Sequence, residues 1–428
     1  MKFRAAFTFA VLAALSAGLS ACHARPPADY DTVIVGGGLA GLSAAYHLRD
    51  RKVLLLEREP ALGGRVMTRQ FRGNAYDLGA LFLYEADRLP FPLAVTDRVA
   101  ENGPIGLYMD GRTLFGREAK EILYQLRPSL SEERDLLLFK ADGKRVPPGR
   151  MGDALNAFFQ AIFPGDVTRF TPERRLDALV RVNNRYSLSG NGPVLQAYRE
   201  RIAARVEFGA DVTSVADDGK QVRVRYRQGG LEKSVTARTA VVTVPGPVAR
   251  RIVAGTTPES RRFLDAIRFG KGATAVIFVR AGAVTHFSYV VSPDTAVAGV
   301  FYAQARDPGL VRLTAYFTEK SAGKLAGLSA PQIAAWALGD LRKMGIGALA
   351  PDDVVFSDAQ AWPYIGPVIS DGAYAGFTEN ALHPSPGVFL AGDYTYWDRE
   401  NRFPYGIEAA LASGERAAGW AKGLLDSR

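Results

Sequence analysis

Apolar and polar positions along this chain fall into blocks that read as elements. The first block, Ala5 to Ala21, is uncharged and mostly apolar, and it follows Lys2 and Arg4. It is short for a spanning helix and has the build of an export-signal core. A polar stretch from Arg25 to Asp31, with Pro26 and Pro27, then leads to Thr32-Val33-Ile34-Val35. That run is apolar and β-rich, as in a buried parallel strand. Leu42 to Arg49 reads as a helix, with Leu39, Leu42, Ala45 and Leu48 near one face. Lys52 to Leu56 is a second apolar strand, and Glu57 stands at its end. Farther on, Arg117 to Leu126, Gly152 to Phe163 and Ala330 to Met344 read as helical, whereas Ala273 to Val279 and Gly299 to Ala303 are β-rich.

Between the first strand and the first helix lies Gly36-Gly37-Gly38-Leu39-Ala40-Gly41. Each glycine of this G-x-G-x-x-G has a physical task. Gly36 permits the tight turn, Gly38 lets a pyrophosphate approach the backbone, and Gly41 lets helix and strand pack closely. A phosphate would then sit at the helix N-terminus, where free N–H groups and the dipole favour negative charge. Glu57 lies 16 residues beyond Gly41, near the spacing of a ribose-hydroxyl acceptor. Strand, glycine loop, helix, strand and acid together predict a dinucleotide site, and the acid favours FAD or NAD over NADP.

Composition narrows the picture. The 428 residues, 47% hydrophobic, are enough for two or three domains with a large core. The net charge of +9 raises the question of nucleic acid, but the cations are scattered among acids with no dense basic stripe. No nucleic-acid partner is expected; attraction to anionic membrane surfaces fits the N-terminus better. Cys22 is the sole cysteine, so disulfides and thiol chemistry in the folded region are excluded. His23, His47, His286 and His383 have no metal-ligand spacing, and no metal is expected. His286 is a candidate for proton transfer.

The segment after Glu57, Arg58-Glu59-Pro60-Ala61-Leu62-Gly63-Gly64-Arg65, resembles the flavin-containing amine oxidase and phytoene desaturase superfamily. So do Tyr76-Asp77-Leu78-Gly79-Ala80, Gly209 to Val215, Ala240 to Pro245, Gly387 to Asp393, and Gly406 to Gly414. The resemblance spans about residues 30 to 425. It implies FAD as cofactor. It implies that Gly63, Gly64 and Arg58 lie by the cofactor and that Arg65 approaches the phosphates. Gly79 and Ala80 would approach the flavin ring, and the Val212 backbone would meet the adenine. Asp393, following Gly392, would accept a hydrogen bond from the ribityl chain. The helix starting near Ile407 would point its N–H groups at the flavin.

The resemblance also implies an α/β fold, with a Rossmann-type FAD-binding domain and a discontinuous α+β substrate domain. The expected boundaries are 1–21 for the signal peptide and 22–29 for the tether. The FAD domain takes 30–84, 196–250 and 385–428, and the substrate domain takes 85–195 and 251–384. The family's usual active-site Lys aligns with Thr274, three residues after Lys271. Lys271 is one catalytic candidate. The other is Tyr405, which precedes Gly406 where a family aromatic would sit. Trp362, Tyr364, Tyr394, Tyr396 and Trp397 are further aromatics for a flavin pocket.

Leu19-Ser20-Ala21-Cys22 resembles the bacterial lipoprotein lipobox, in which the cysteine is acylated. The alternative is a plain secretory signal with a chance cysteine. The expectation is a periplasm-facing lipoprotein that carries hydride from a CH–NH or CH–CH bond of a small-molecule substrate to flavin. Two alternatives stay open: an FAD-dependent isomerase and a non-catalytic flavin-binding protein tethered to the membrane.

Overall fold

The computed structural model describes residues 28–83, 89–91, 98–179, 185–325, 327–368, 370, 377–395 and 406–427. The chain opens with β1 (Tyr30–Val35), α1 (Leu39–His47), β2 (Val53–Leu56) and the hairpin β3 (Thr68–Phe71) and β4 (Asn74–Asp77). A first excursion carries β5 (Arg98–Ala100), β6 (Ile105–Met109), β7 (Arg112–Gly116), α2 (Ala119–Gln125), α3 (Leu130–Asp142), α4 (Gly149–Gln160), α5 (Pro172–Arg175) and β8 (Arg185–Ser187). The chain then returns through α6 (Gly192–Arg199), β9 (Arg205–Glu207), β10 (Asp211–Asp217), β11 (Val222–Gln228) and β12 (Leu231–Val242). A second excursion carries α7 (Gly246–Ile252), α8 (Pro258–Ala266), β13 (Arg268–Arg280), β14 (Tyr289–Val291), β15 (Val297–Gln304), β16 (Leu310–Phe317), α9 (Glu319–Leu325), α10 (Ala330–Lys343) and β17 (Val354–Val368). The chain closes with β18 (Val388–Leu390) and α11 (Ile407–Asp426).

Two sheets organise the molecule. The first has the order β10-β11-β12-β1-β2-β9, with β18 paired to β12. Its centre is parallel: β1 lies between β2 and β12, and β18 runs parallel to Ala240–Val242. These strands read as unbroken apolar runs because both faces are covered. One face packs on α7, α8 and the segment around Leu382. The other packs on α1, α6 and α11.

The second sheet has the order β17-β13-β16-β15-β14-β6-β7. The pleat of β13 sends Ala273, Ala275, Ile277 and Val279 toward α10. It sends Val276 and Phe278 toward Tyr76 and Leu78, on and just after the β3–β4 hairpin. The hairpin thus lies on the second sheet while its chain neighbours belong to the first. Helices α2, α3 and α4 cover the β6 and β14–β15 region with a core that includes Phe139, Leu155 and Phe159.

Helix α11 seats against α1 through Gly414. A Cβ there would stand 2.2 Å from the Ala40 carbonyl oxygen and 2.9 Å from the Ser43 Cβ. Gly419, farther along the same helix, faces open space. Gly414→Ala should lower stability by about 1–3 kcal/mol through overpacking. Gly419→Ala should stabilise by a few tenths up to about 1 kcal/mol through helix propensity. Urea unfolding midpoints at equal slope distinguish the two; equal shifts would contradict the packing account.

Candidate functional site

The glycine loop at the start of α1 is formed by backbone proximity. Gly36 has φ +104°, a conformation that favours glycine. A Cβ on Gly41 would lie 2.0 Å from the Gly36 carbonyl oxygen, so helix and strand can close only with glycine there. At Gly38 the nearest atom to such a Cβ is the Gly63 carbonyl oxygen at 4.0 Å. The loop is therefore open at Gly38 and shut at Gly41, as a phosphate cradle needs. Leu39 and Ala40 form the first turn of α1, which has no acidic residue there to compete with an anion.

Glu57 closes the other side. Its carboxylate accepts the Gly37 N–H at 2.5 Å and the Glu59 N–H at 2.8 Å. Glu57, the residue expected from spacing to meet a ribose hydroxyl, is thus seen to fix the loop, and a carboxylate has lone pairs beyond the two used here. Gly63 donates its N–H to the Gly37 carbonyl at 2.9 Å, drawing the Gly63-Gly64-Arg65 segment onto the loop. Arg58 is exposed and pairs with Glu59. Val212 is buried on β10 beside a bulge, and the neighbouring Ala210 N–H bonds the Glu57 carbonyl at 2.9 Å.

Arg65 and Asp393 meet. The guanidinium donates to both carboxylate oxygens at 2.7 and 2.9 Å, and it lies over the Phe269 ring at 5.5 Å. This bidentate pair joins residues 328 positions apart. The family resemblance places the two residues at separate parts of the cofactor; their pairing with each other was not legible in the sequence. Gly392, with φ +135°, donates its N–H to the Ser413 hydroxyl at 2.8 Å, and so ties the end of β18 to α11. Ile407 is buried at the start of α11, behind Gly406 with φ +73°.

The segment Leu78-Gly79-Ala80 is pinned between the two sheets. A Cβ on Gly79 would sit 1.8 Å from the Arg65 carbonyl oxygen, which also accepts the Ala80 N–H at 2.9 Å. From the second sheet, the Trp362 indole donates to the Leu78 carbonyl at 2.8 Å and the Tyr316 hydroxyl to the Gly79 carbonyl at 3.3 Å. The Asn191 amide donates to the Ala80 carbonyl at 2.7 Å, and the Asn191 N–H bonds Asp77. Asp77 is fully buried, and burial raises its pKa. Its charge is opposed by Arg312, whose own pKa burial lowers. Arg312 donates to the Ala75 carbonyl at 2.7 Å and lies over the Tyr186 ring at 5.4 Å. Sequence reasoning missed Arg312, Asn191 and Asp77 as a group; the one signal was a lone cation inside the apolar run Leu310–Phe317.

The catalytic candidates separate. Lys271 is exposed, at the bulge where Gly270 pairs with Gly366 and Gly272 with Trp362. Thr274 is fully buried, and its hydroxyl has no partner among the described residues. Tyr405, Tyr396, Trp397 and Cys22 lie outside the described residues. Tyr394 is buried in the core beside Phe263 and Phe269, and burial raises its pKa. Tyr364 packs on Phe269. His286 bonds the buried Glu101 carboxylate at 2.5 Å and packs edge-on to Tyr302. Among the described residues, no group of three His, Cys, Asp or Glu side chains could hold a metal.

Glycine loop, closing acid and parallel sheet define a Rossmann-type dinucleotide-binding fold joined to a second sheet domain. A family model described as flavin containing amine oxidoreductase matches residues 111–419, and one described as an NAD(P)-binding Rossmann-like domain matches 34–89. The chain belongs to the flavin-containing amine oxidoreductases, and its cofactor is FAD. Nicotine dehydrogenase of Pseudomonas putida is 25% identical over 299 residues, 59% of this chain and 61% of its own length. L-amino acid oxidase bordonein-L of Crotalus durissus terrificus is 25% identical over 274 residues, 51% of this chain and 52% of its own. The chain thus spans between half and two thirds of the length of these curated relatives. Cyclohexylamine oxidase from Brevibacterium oxydans shares the fold at a TM-score of 0.70 and 16% identity, over 93% of this chain and 100% of that one.

Two predictions follow from this geometry. Glu57→Gln keeps the size but turns one acceptor into a donor facing an N–H. At about 1.5–3 kcal/mol for a charged hydrogen bond, FAD affinity should fall by about 10- to 150-fold, read by titrating apoprotein with FAD. Unchanged affinity would show that Glu57 does not hold the loop. His383, between Phe389 and Trp420, has its pKa lowered by burial. The folded state then binds fewer protons than the unfolded chain, so stability drops as pH falls through about 6.5. His383→Gln should remove that part of the acid sensitivity, and melting temperatures of the two proteins should converge between pH 7 and 5.

Proposed function

We propose that this chain is an FAD-dependent oxidoreductase that oxidises a C–H bond next to nitrogen in a small-molecule amine. The observation that carries this reading is the Leu78-Gly79-Ala80 segment, held by Arg65 from the nucleotide side and by Trp362 and Tyr316 from the substrate sheet. It fixes one backbone strip at the junction where cofactor and substrate would meet. The amine class is favoured by the names of the relatives: a nicotine dehydrogenase, an L-amino acid oxidase and a cyclohexylamine oxidase.

The roles of the residues follow from their positions. The Gly36–Gly41 loop would cradle the pyrophosphate, and Glu57 would take a ribose hydroxyl while holding Gly37. Arg65 would share its fork between phosphate and Asp393, and Asp393 would accept from the ribityl chain. Val212 would present its backbone to the adenine. Bound FAD supplies the hydride acceptor. The substrate amine must be neutral to release that hydride, and water then hydrolyses the imine product. Thr274, buried on β13, offers no amine to assist; Lys271 stands at the exposed start of the same strand.

Cys22, at the end of the apolar run, would carry the lipid and hold the enzyme at the periplasmic face of a bacterial membrane. The reading as a plain exported protein differs only there. In a bacterial host, labelled palmitate should enter the wild type and not Cys22→Ser; label in neither would remove the anchor.

Anaerobic mixing with a panel of primary, secondary and cyclic amines tests the chemistry. Bleaching of the flavin bands by at least one amine, with release of one aldehyde or ketone per flavin reduced, is expected. Bleaching by an unsaturated-bond substrate alone would replace the amine reading with CH–CH dehydrogenation. A flavin that no substrate bleaches would move the assignment to an isomerase or a non-catalytic flavoprotein.

A further inference from the structure

Helix α3 presents two apolar faces. Leu136 and Phe139 turn inward and are buried against α4 and its neighbours. Leu130, Leu137 and Leu138 turn outward, with Arg134 between them and Ala141 one turn beyond. The spacing i, i+4, i+7, i+8, i+11 places these five on one stripe. The three leucines are 86%, 59% and 53% exposed, and Tyr124 on adjoining α2 is 47% exposed. Six large hydrophobics are exposed among the described residues, and these are four of them. A cluster of this kind marks an interaction surface, whereas single exposed leucines do not.

The stripe is held in place. Ser129 and Glu132 form a capping box at the N-terminus, and Gly143 ends the helix at φ +67°. A Cβ on Gly143 would lie 2.1 Å from the Pro172 carbonyl oxygen, so this end is packed tightly.

Its charge pattern selects the occupant. Arg134 is exposed on the helix and Arg127, Lys144 and Arg145 are exposed just beyond its two ends, whereas the helix acids Glu132, Glu133 and Asp135 are partly buried. The exposed acids beside Tyr124 are engaged locally: Glu118 pairs with Lys120 at 2.7 Å, and Glu121 accepts the Arg117 N–H at 2.8 Å. Exposed Asp142 is within 3.6 Å of Lys144. In the middle of the stripe Arg134, 73% exposed, has its nearest carboxylate in Asp135 at 3.8 Å. A second copy docked by a two-fold axis would bring this cation against its equivalent or against leucine. A phospholipid interface takes both parts: leucines enter the acyl boundary, while arginine and lysine reach the phosphates.

We propose that the outer stripe of α3 inserts into the surface of an anionic phospholipid bilayer, so that the substrate domain itself lies on the membrane. The proposal is independent of acylation at Cys22 and of the amine reading.

The test uses the full chain carrying FAD, with Cys22→Ser and one new thiol, Leu137→Cys, labelled with an environment-sensitive fluorophore. The comparison protein carries the label at Leu231→Cys, a site 67% exposed on β12. Vesicles contain phosphatidylcholine with about a third phosphatidylglycerol, with or without nitroxide-labelled acyl chains. The expected result is a blue shift and nitroxide quenching at position 137 but not at 231. Adding Leu130→Asp and Leu138→Asp to the 137-labelled protein should cut the bound fraction at that site by about tenfold or more. A label at 137 that stays as aqueous as the one at 231 overturns the proposal. So does a blue shift that grows with protein concentration without vesicles, since a second copy would then cover the stripe.

Discussion

Backbone against backbone is the constraint on which this site depends. Three of the places where a Cβ would collide with a carbonyl oxygen bear on it: Gly41 with Gly36, Gly414 with Ala40, and Gly79 with Arg65, at 2.0, 2.2 and 1.8 Å. The first shuts the turn from β1 into α1. The second seats α11 on that same helix, and with it the end of β18, through the bond from Gly392 to Ser413. The third brings the Leu78-Gly79-Ala80 segment beside the arginine that grips Asp393. No side-chain contact could substitute, because each approach is closer than any side chain permits. The cofactor loop, the C-terminal helix and the domain junction are thereby held against one another by backbone approach.

That constraint explains what was legible in the sequence. The start of the nucleotide fold is local: apolar run, three glycines at fixed spacing, helical period, second run, acid. Every one of those signals lies within residues 30–57, and the observed β1, α1 and β2 follow them closely. The end of the chain was legible by resemblance rather than by local pattern: the Gly406–Gly414 block matches a family helix start, and α11 begins at Ile407. What was not legible is long-range. Nothing near Arg65 announces that it will pair with Asp393, and nothing near Asn191 announces that it will cap Asp77 and Ala80. Strand β13 reads as a short apolar run from Ala273, whereas it extends from Arg268 to Arg280 because β17 pairs along it. Helix α3 escaped notice because its apolar residues lie on two faces, which blurs the period that would betray it.

The same contrast applies to the catalytic candidates. Lys271 and Thr274 are three residues apart, and sequence alignment alone weighs them by spacing. The strand separates them by pleat and bulge: one is exposed at the bulge, and the other is buried with a hydroxyl that has no partner among the described residues. A buried hydroxyl without a partner costs free energy.

Arg312 and Asp77 show the more general price of joining two sheets through a polar layer. Both are fully buried, and burial shifts each toward its neutral form: the carboxyl upward, the guanidinium downward. Two guanidinium nitrogens, Nε and Nη2, have no partner among the described residues. An apolar pair of similar volume would by general experience be no less stable. Such a pair could not supply the Arg312 bond to the Ala75 carbonyl or the Asp77 bonds to Thr68 and Asn191. Those bonds are directional, and through Asn191 they extend to the Ala80 carbonyl. An apolar layer would hold the β3–β4 hairpin on the second sheet through contacts that carry no such direction. The polar layer sets its register, and the register sets where the backbone of residues 78–80 stands between the two sheets.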